Sequence, residues 1–139
     1  MPIGYKICTE HGLVISTGCG RLTSAELMAC MEQGLSDPSF HPSFNQIVDF
    51  REVTSIDMSG GETRTLANVS LFSPDSKRAV VAPSPANFGV GRMFATYHEM
   101  SESRSQVRIF HDLASALAWL AIESTCELLQ ALISSPASD

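Results

Sequence analysis

The chain has 139 residues, 44% of them hydrophobic and 17% charged, a balance that suits one ordinary core and excludes a disordered acidic tail. Nine Lys and Arg against fifteen Asp and Glu leave a net charge of −6, so the basic footprint that nucleic acid requires is missing. No run reaches the ~18 apolar residues of a membrane span, and Met1-Pro2-Ile3-Gly4-Tyr5-Lys6 forms no continuous apolar stretch; the expectation is a cytoplasmic domain without a membrane span.

Two β-rich runs, residues 5–9 and 13–17, flank Glu10-His11-Gly12 and predict a hairpin, with Gly18-Cys19-Gly20 breaking the second strand. Thr23-Ser24-Ala25-Glu26 reads as a capping box, opening a helix to about Leu35 with Leu27, Met28, Met31 and Leu35 on one face. A loop through Asp37-Pro38 leads to the short strand Ile47-Val48-Asp49-Phe50. Ser59-Gly60-Gly61-Glu62 is a second cap signal, for a helix carrying Leu66, Ala67, Val69 and Ser70 that ends at Ser73-Pro74-Asp75. Ala79-Val80-Val81-Ala82 is unbroken rather than alternating, as strands buried on both faces are. Val90, Met93, Phe94, Tyr97 and Met100 form a helical stripe. Val107-Arg108-Ile109-Phe110 is the last strand, and Asp112 caps a helix carrying Leu113, Ala116, Leu117, Leu120 and Leu128.

Strands alternating with helices in this order imply an α/β fold: a mostly parallel sheet of about five strands, an N-terminal hairpin and four helices. One domain covers residues 1–135, and residues 136–139 are a frayed tail. Trp119, Leu120, Ile122, Leu128, Leu129, Leu132 and Ile133 give the last helix more apolar surface than a small sheet can cover, which predicts a homodimer. Cys8, Cys19, Cys30 and Cys126 form no Cys-x-x-Cys pair and read as reduced packing thiols, not as disulfides or metal ligands. No cofactor motif appears.

In open α/β sheets ligands gather at the carboxyl ends of the strands. Three loops are expected there: Arg51 to Ser59, Pro83 to Gly89, and His111-Asp112. Arg51, Asp57, Ser59, Asn87, Arg92 and His111 are their polar groups, and the helix N-termini among them would favour an anion. Met93, Phe94, Tyr97 and Met100 could line a pocket for a small apolar ligand between the third helix and the sheet, although plain core packing gives the same pattern. Catalytic signals are absent. His98-Glu99-Met100-Ser101-Glu102 begins like a zincin motif but lacks the second histidine and reads as a solvated face; neither a P-loop nor a Gly-x-Ser-x-Gly elbow occurs.

The stretch Asp49-Phe50-Arg51 to Asp57-Met58-Ser59-Gly60 resembles the signature of STAS domains, the sulfate-transporter and anti-sigma-factor-antagonist family. The Asp49-Phe50-Arg51 triplet, Gly89-Val90-Gly91-Arg92-Met93-Phe94 and Ala116-Leu117-Ala118-Trp119-Leu120 are more similar to the SpoIIAA-like subgroup, over nearly the whole chain. The resemblance implies a STAS-like regulatory or interaction module, presenting the loop from Arg51 to Ser59 and the following helix to a protein partner such as an anti-sigma factor or kinase. It places Ser59 on the residue phosphorylated in the antagonists, with Asp57 and Gly60 matching the motif around it. Met58 stands where that motif has its first hydroxyl residue, and Gly61 where the antagonists usually carry Leu. Some relatives resemble lipid-carrying CRAL-TRIO domains in shape, which implies a small-molecule or lipid carrier as the alternative. The residues leave a third reading, an enzyme using Asp57, Ser59 and His111.

Overall fold

The computed structural model describes residues 2–69, 72–101 and 105–121. Its elements are β1 (Ile3–Cys8), β2 (Leu13–Thr23), α1 (Ser24–Ser36), β3 (Asn45–Asp57), α2 (Gly60–Ala67), β4 (Lys77–Val81), α3 (Pro85–Glu99), β5 (Gln106–Phe110) and α4 (Leu113–Leu120). The strands form one sheet in the order β1-β2-β3-β4-β5; β1 is antiparallel to β2 and every other pair is parallel. This is the mixed α/β arrangement, hairpin first and four helices, that the sequence pattern implies.

The local signals act as their chemistry demands. Thr23 with Glu26 and Ser59 with Glu62 form complete capping boxes, while Ser84 and Asp112 cap α3 and α4. α2 stops at Ala67, short of Val69 and Ser70, and Ser70 lies outside the described residues. Gly18-Cys19-Gly20 does not break β2. Two register shifts, between Thr17 and Cys19 and between Gly20 and Arg21, absorb it, with Gly20 at φ +66°. β3 likewise continues to Asp57, so the expected loop from Arg51 is strand almost to Ser59. Beyond Asp49 it pairs, among the described residues, with β2 alone, in a two-stranded ribbon whose Glu52, Thr54 and Ser55 are exposed. A ladder needs backbone partners there, and no apolar pattern announces them.

Because the strands cross the sheet in chain order, right-handed crossovers carry α1, α2 and α3 to one face. α4 covers the other. There Leu113, Ala116 and Leu120 close on Leu13, Ile15, Ile47, Ala79 and Val81, with Phe110 and Trp119 packed at the margin. On the three-helix face, α1 sits over β1 and β2, where Ile3, Leu22, Cys30, Phe50 and Val53 form a buried cluster. Gly91 seats α3 closely on β5: a Cβ there would come 3.1 Å from Ile109 Cδ1. α2 is different. It packs on α3 and α1 and makes little contact with any strand. The middle of the sheet beneath it is therefore incompletely covered. Val48 and Val80 stay half-buried, while Ile47 and Ala79, facing α4, are fully buried.

Cys30 is buried, and desolvation pushes its thiol up; Cys19 is half-buried. Cys126, Ile122, Leu128, Leu129, Leu132, Ile133 and residues 136–139 lie outside the described residues, and with them most of the apolar surplus behind the homodimer expectation.

His98 corrects an expectation. It is 1% exposed, not solvated. Its Nδ1 donates to the Ala67 carbonyl at 2.8 Å, so Nε2 is left to accept the Ser105 hydroxyl, also at 2.8 Å. These bonds tie α3 to the end of α2 and to the approach of β5. α3 packs against both α2 and β5, so its buried face is wider than its apolar stripe. Desolvation holds the His98 pKa below its ordinary 6.5, against the Ala67 bond and aided by the nearby Arg78 charge.

The unfolded ring binds its proton near pH 6.5 and the buried one resists it. The contribution of His98 to stability is therefore whole above that pH and is lost as pH falls below it. Thermal melts at about pH 7.5 and about pH 5.5 should show a lower midpoint in acid, and His98→Gln should shrink the difference. A wild-type midpoint that does not move, or a variant that moves as much, would contradict the buried neutral ring.

Candidate functional site

The polar residues expected at the carboxyl edge are not brought together. Arg51 turns back on Asp49: its Nε and Nη2 donate to the two carboxylate oxygens at 2.9 Å each, and its backbone N–H donates to Oδ1 at 3.0 Å. Asp49 is fully buried and lies opposite Val81, so the pair braces the sheet where β4 ends. Asp57 stands eight residues further along β3, roughly 26 Å of extended chain, and pairs with Arg21 on the surface. Asn87 is buried, its amide donating to the Val53 carbonyl at 3.1 Å, and it is the one of these residues that lines the cavity described below. Arg92 is exposed in the middle of α3. His111 stacks on Phe88, ring centroids 4.0 Å apart and planes 4° from parallel. The physical reason is the winding: a strand order that never reverses has no switch point at its carboxyl edge to gather them.

Ser59 is exposed at the start of α2, followed by the exposed Gly60. Its Oγ accepts the Glu62 N–H at 3.1 Å, and Glu62 Oε1 accepts the Ser59 N–H at 2.8 Å. The Ser24 hydroxyl donates to Glu62 Oε2 at 2.9 Å, joining α1 to α2. These donors, the Ser59 N–H foremost, hold the Glu62 carboxyl below its ordinary pKa.

A cavity of about 130 Å³ lies between the sheet and the three helices. Val48, Val80 and Ile109 form its floor; Leu27 and Met31 of α1, Leu66 of α2, and Val90 and Phe94 of α3 form much of its walls. Of the four residues expected to line a pocket here, Phe94 does so. Met93 and Tyr97 do not reach it; Arg64 of α2 lies over the Tyr97 ring at 5.9 Å. Met100, just past the end of α3, is 76% exposed. The stripe is split because α3 shares its apolar residues between α2 and the sheet. Trp119 packs on the opposite face, its ring 5.7 Å from that of Phe110.

One charged residue reaches this cavity. Arg78, on β4, is 7% exposed. Its Nε donates to Gln46 Oε1 at 3.0 Å, and Gln46 Nε2 donates to Ser16 Oγ at 3.1 Å, a polar row across β4, β3 and β2. The guanidinium lies 4.7 Å from the Phe72 ring centre and 5.7 Å from that of Phe94. Among the described residues no carboxylate pairs with it; the ion pairs there are Arg21–Asp57 and Arg51–Asp49. Desolvation lowers its pKa to about 10, which leaves it a cation at neutral pH. Sequence reasoning missed it by starting this strand at Ala79. The available signal was a charged residue in phase with Val80 on a strand covered on both faces.

No protein-family model matches this chain, and no curated protein sequence does. Among solved structures it is similar to an uncharacterised protein of the DUF3478 family with a SpoIIAA-like fold from Shewanella loihica PV-4. The TM-score is 0.54 and the identity 16%, over 85% of this chain and 91% of that one. The chain therefore has the SpoIIAA-like fold its motifs resemble, and at that identity the likeness is one of architecture.

The Ser59 cap can be weighed directly. Ser59→Ala removes the acceptor for the Glu62 N–H and should lower stability by about 1 kcal/mol, whereas Ser59→Asp, an equally good cap, should stay within about 0.5 kcal/mol of wild type. Urea titration reads both. An Ala variant as stable as wild type, or an Asp variant that falls as far as Ala, would contradict the cap.

Proposed function

We propose that this chain, built on a SpoIIAA-like fold, is a non-catalytic binding module whose working site is the cavity beneath α2, and that it takes a small, largely apolar ligand. The observation that carries this is the unequal filling of the two sheet faces. Among the described residues the α4 face carries a closely packed buried cluster, while the other keeps a space of about 130 Å³. Interiors pack like organic crystals, and an unfilled space of that size costs on the order of 3 kcal/mol at ~24 cal/mol per Å³. That is a large share of the ~5–15 kcal/mol that holds a domain folded. An apolar cavity of about 150 Å³ accommodates a benzene.

The groups that an enzyme would draw on have other duties. Ser59 is bonded to the backbone of its own helix, both ring nitrogens of His98 are engaged, and His111 is stacked on Phe88. A protein-interaction role has its own support in the exposure of Ser59, which borders a surface depression between α1 and α2 together with Met28 and Gly61. In that second reading a protein partner, of anti-sigma-factor or kinase type, docks on α1 and α2. A phosphate on Ser59 beside Asp57 and Glu62 then repels it.

Native and denaturing mass spectra of the protein purified from its own cells separate the two. The binding reading expects a small organic adduct that is present in the native spectrum and lost on denaturation. A chain bare of ligand but carrying covalent phosphate would contradict it and favour the interaction module.

A further inference from the structure

Arg78 has more donors than partners. A guanidinium carries five N–H groups, and here the Nε–H is the one with a protein acceptor, Gln46. Among the described residues every solvent-inaccessible side-chain nitrogen or oxygen has a hydrogen-bond partner; the Nη groups have none, so they border open space, and the open space Arg78 lines is the cavity. In this geometry Gln46 takes the Nε–H and not the Nη groups, and its amide is turned to donate to Ser16. Phe72 and Phe94 offer ring faces that offset part of the desolvation but accept no hydrogen bond in the plane of the fork. Among the described residues this buried cation has no anion.

We infer that the cavity binds an organic monocarboxylate, its two oxygens on the Nη side of Arg78 and a compact apolar body, about the size of a benzene ring, lying between Val80 and Phe94. This rests on the reading of the cavity as a ligand site and names the ligand's chemistry. The planar guanidinium fork matches a planar carboxylate in bidentate fashion. A phosphate would bring more oxygens and more charge than one guanidinium can satisfy, and the remaining wall is mostly apolar. The protein's net charge of −6 disfavours a multiply charged anion further. The volume of about 130 Å³ selects a short or single-ring acid over a long acyl chain.

Calorimetric titration of the full chain with sodium benzoate and sodium hexanoate, against benzyl alcohol and 1-hexanol as neutral counterparts, tests this. One of the two acids should saturate a single site at least tenfold more tightly than its alcohol. Arg78→Met should abolish that preference, acid binding weakening at least tenfold to the level of the alcohol. In the wild type, the acid should move the Arg78 Nε–H resonance in ¹⁵N-edited spectra, and the alcohol should not. This reading stands even where the variant fails to fold. Alcohols binding as tightly as acids would overturn the carboxylate inference and leave the cavity reading intact. Binding by neither class would overturn both. Inorganic phosphate competing as well as benzoate would overturn the choice of anion, and sodium palmitate binding more tightly than hexanoate would overturn the compact body.

Discussion

An ion drawn out of water and, among the described residues, given no counter-ion is the constraint around which the centre of this sheet is arranged. Removing a guanidinium from solvent still costs several kcal/mol after relaxation, and contacts with two aromatic faces return about 1–2 kcal/mol. Arg78 has those faces, one acceptor in Gln46, and an opening where a helix would otherwise lie. Arg51 shows the alternative. Its guanidinium is held by the buried carboxylate of Asp49 on both oxygens, and that pair sits in a closed part of the sheet. The same residue type is matched in one place and left unmatched in the other.

The opening is a consequence of topology. Four parallel strands laid down in chain order put three helices on one face, and three helices of unequal length cannot tile it evenly. α1 and α3, thirteen and fifteen residues long, take the two sides. α2, with eight, is held between them by the Ser24–Glu62 bond and by His98 reaching the Ala67 carbonyl, and it does not settle on β3 and β4. The site thus lies under the helices. Such a winding has no reversal, and so lacks the switch point at which other α/β sheets bind their ligands.

How much of this was legible in the chain depended on the range of the interaction. Helix caps are encoded within three residues, so Thr23, Ser59 and Asp112 could be read directly. The order of elements along the chain, the sheet class and the SpoIIAA-like architecture followed from alternation and motif together, and the similar solved structure has the same architecture. The β2–β3 ribbon was not legible, because Glu52, Thr54 and Ser55 carry no apolar pattern and the pairing of Glu52 with Cys19, Val53 with Gly20 and Ser55 with Arg21 depends on a partner distant in sequence. His98 and Arg78 were missed for a related reason. Each looks like surface in its own segment, and each is buried by elements that arrive from elsewhere: α2 and the approach to β5 for one, α3 and Phe72 for the other.

The central claim is that Arg78 serves a ligand and not the fold, and the stability of the ligand-free protein tests it most directly. Methionine has nearly the volume of arginine and no charge, and replacing a buried ion by an apolar side chain of similar volume is often neutral or stabilising by ~1–4 kcal/mol. The unfolding free energy of Arg78→Met in urea, at neutral pH and without added acids, should therefore equal or exceed that of the wild type. A variant with native circular dichroism but a free energy lower by about 2 kcal/mol or more would show that the guanidinium holds the sheet together, and would contradict the account.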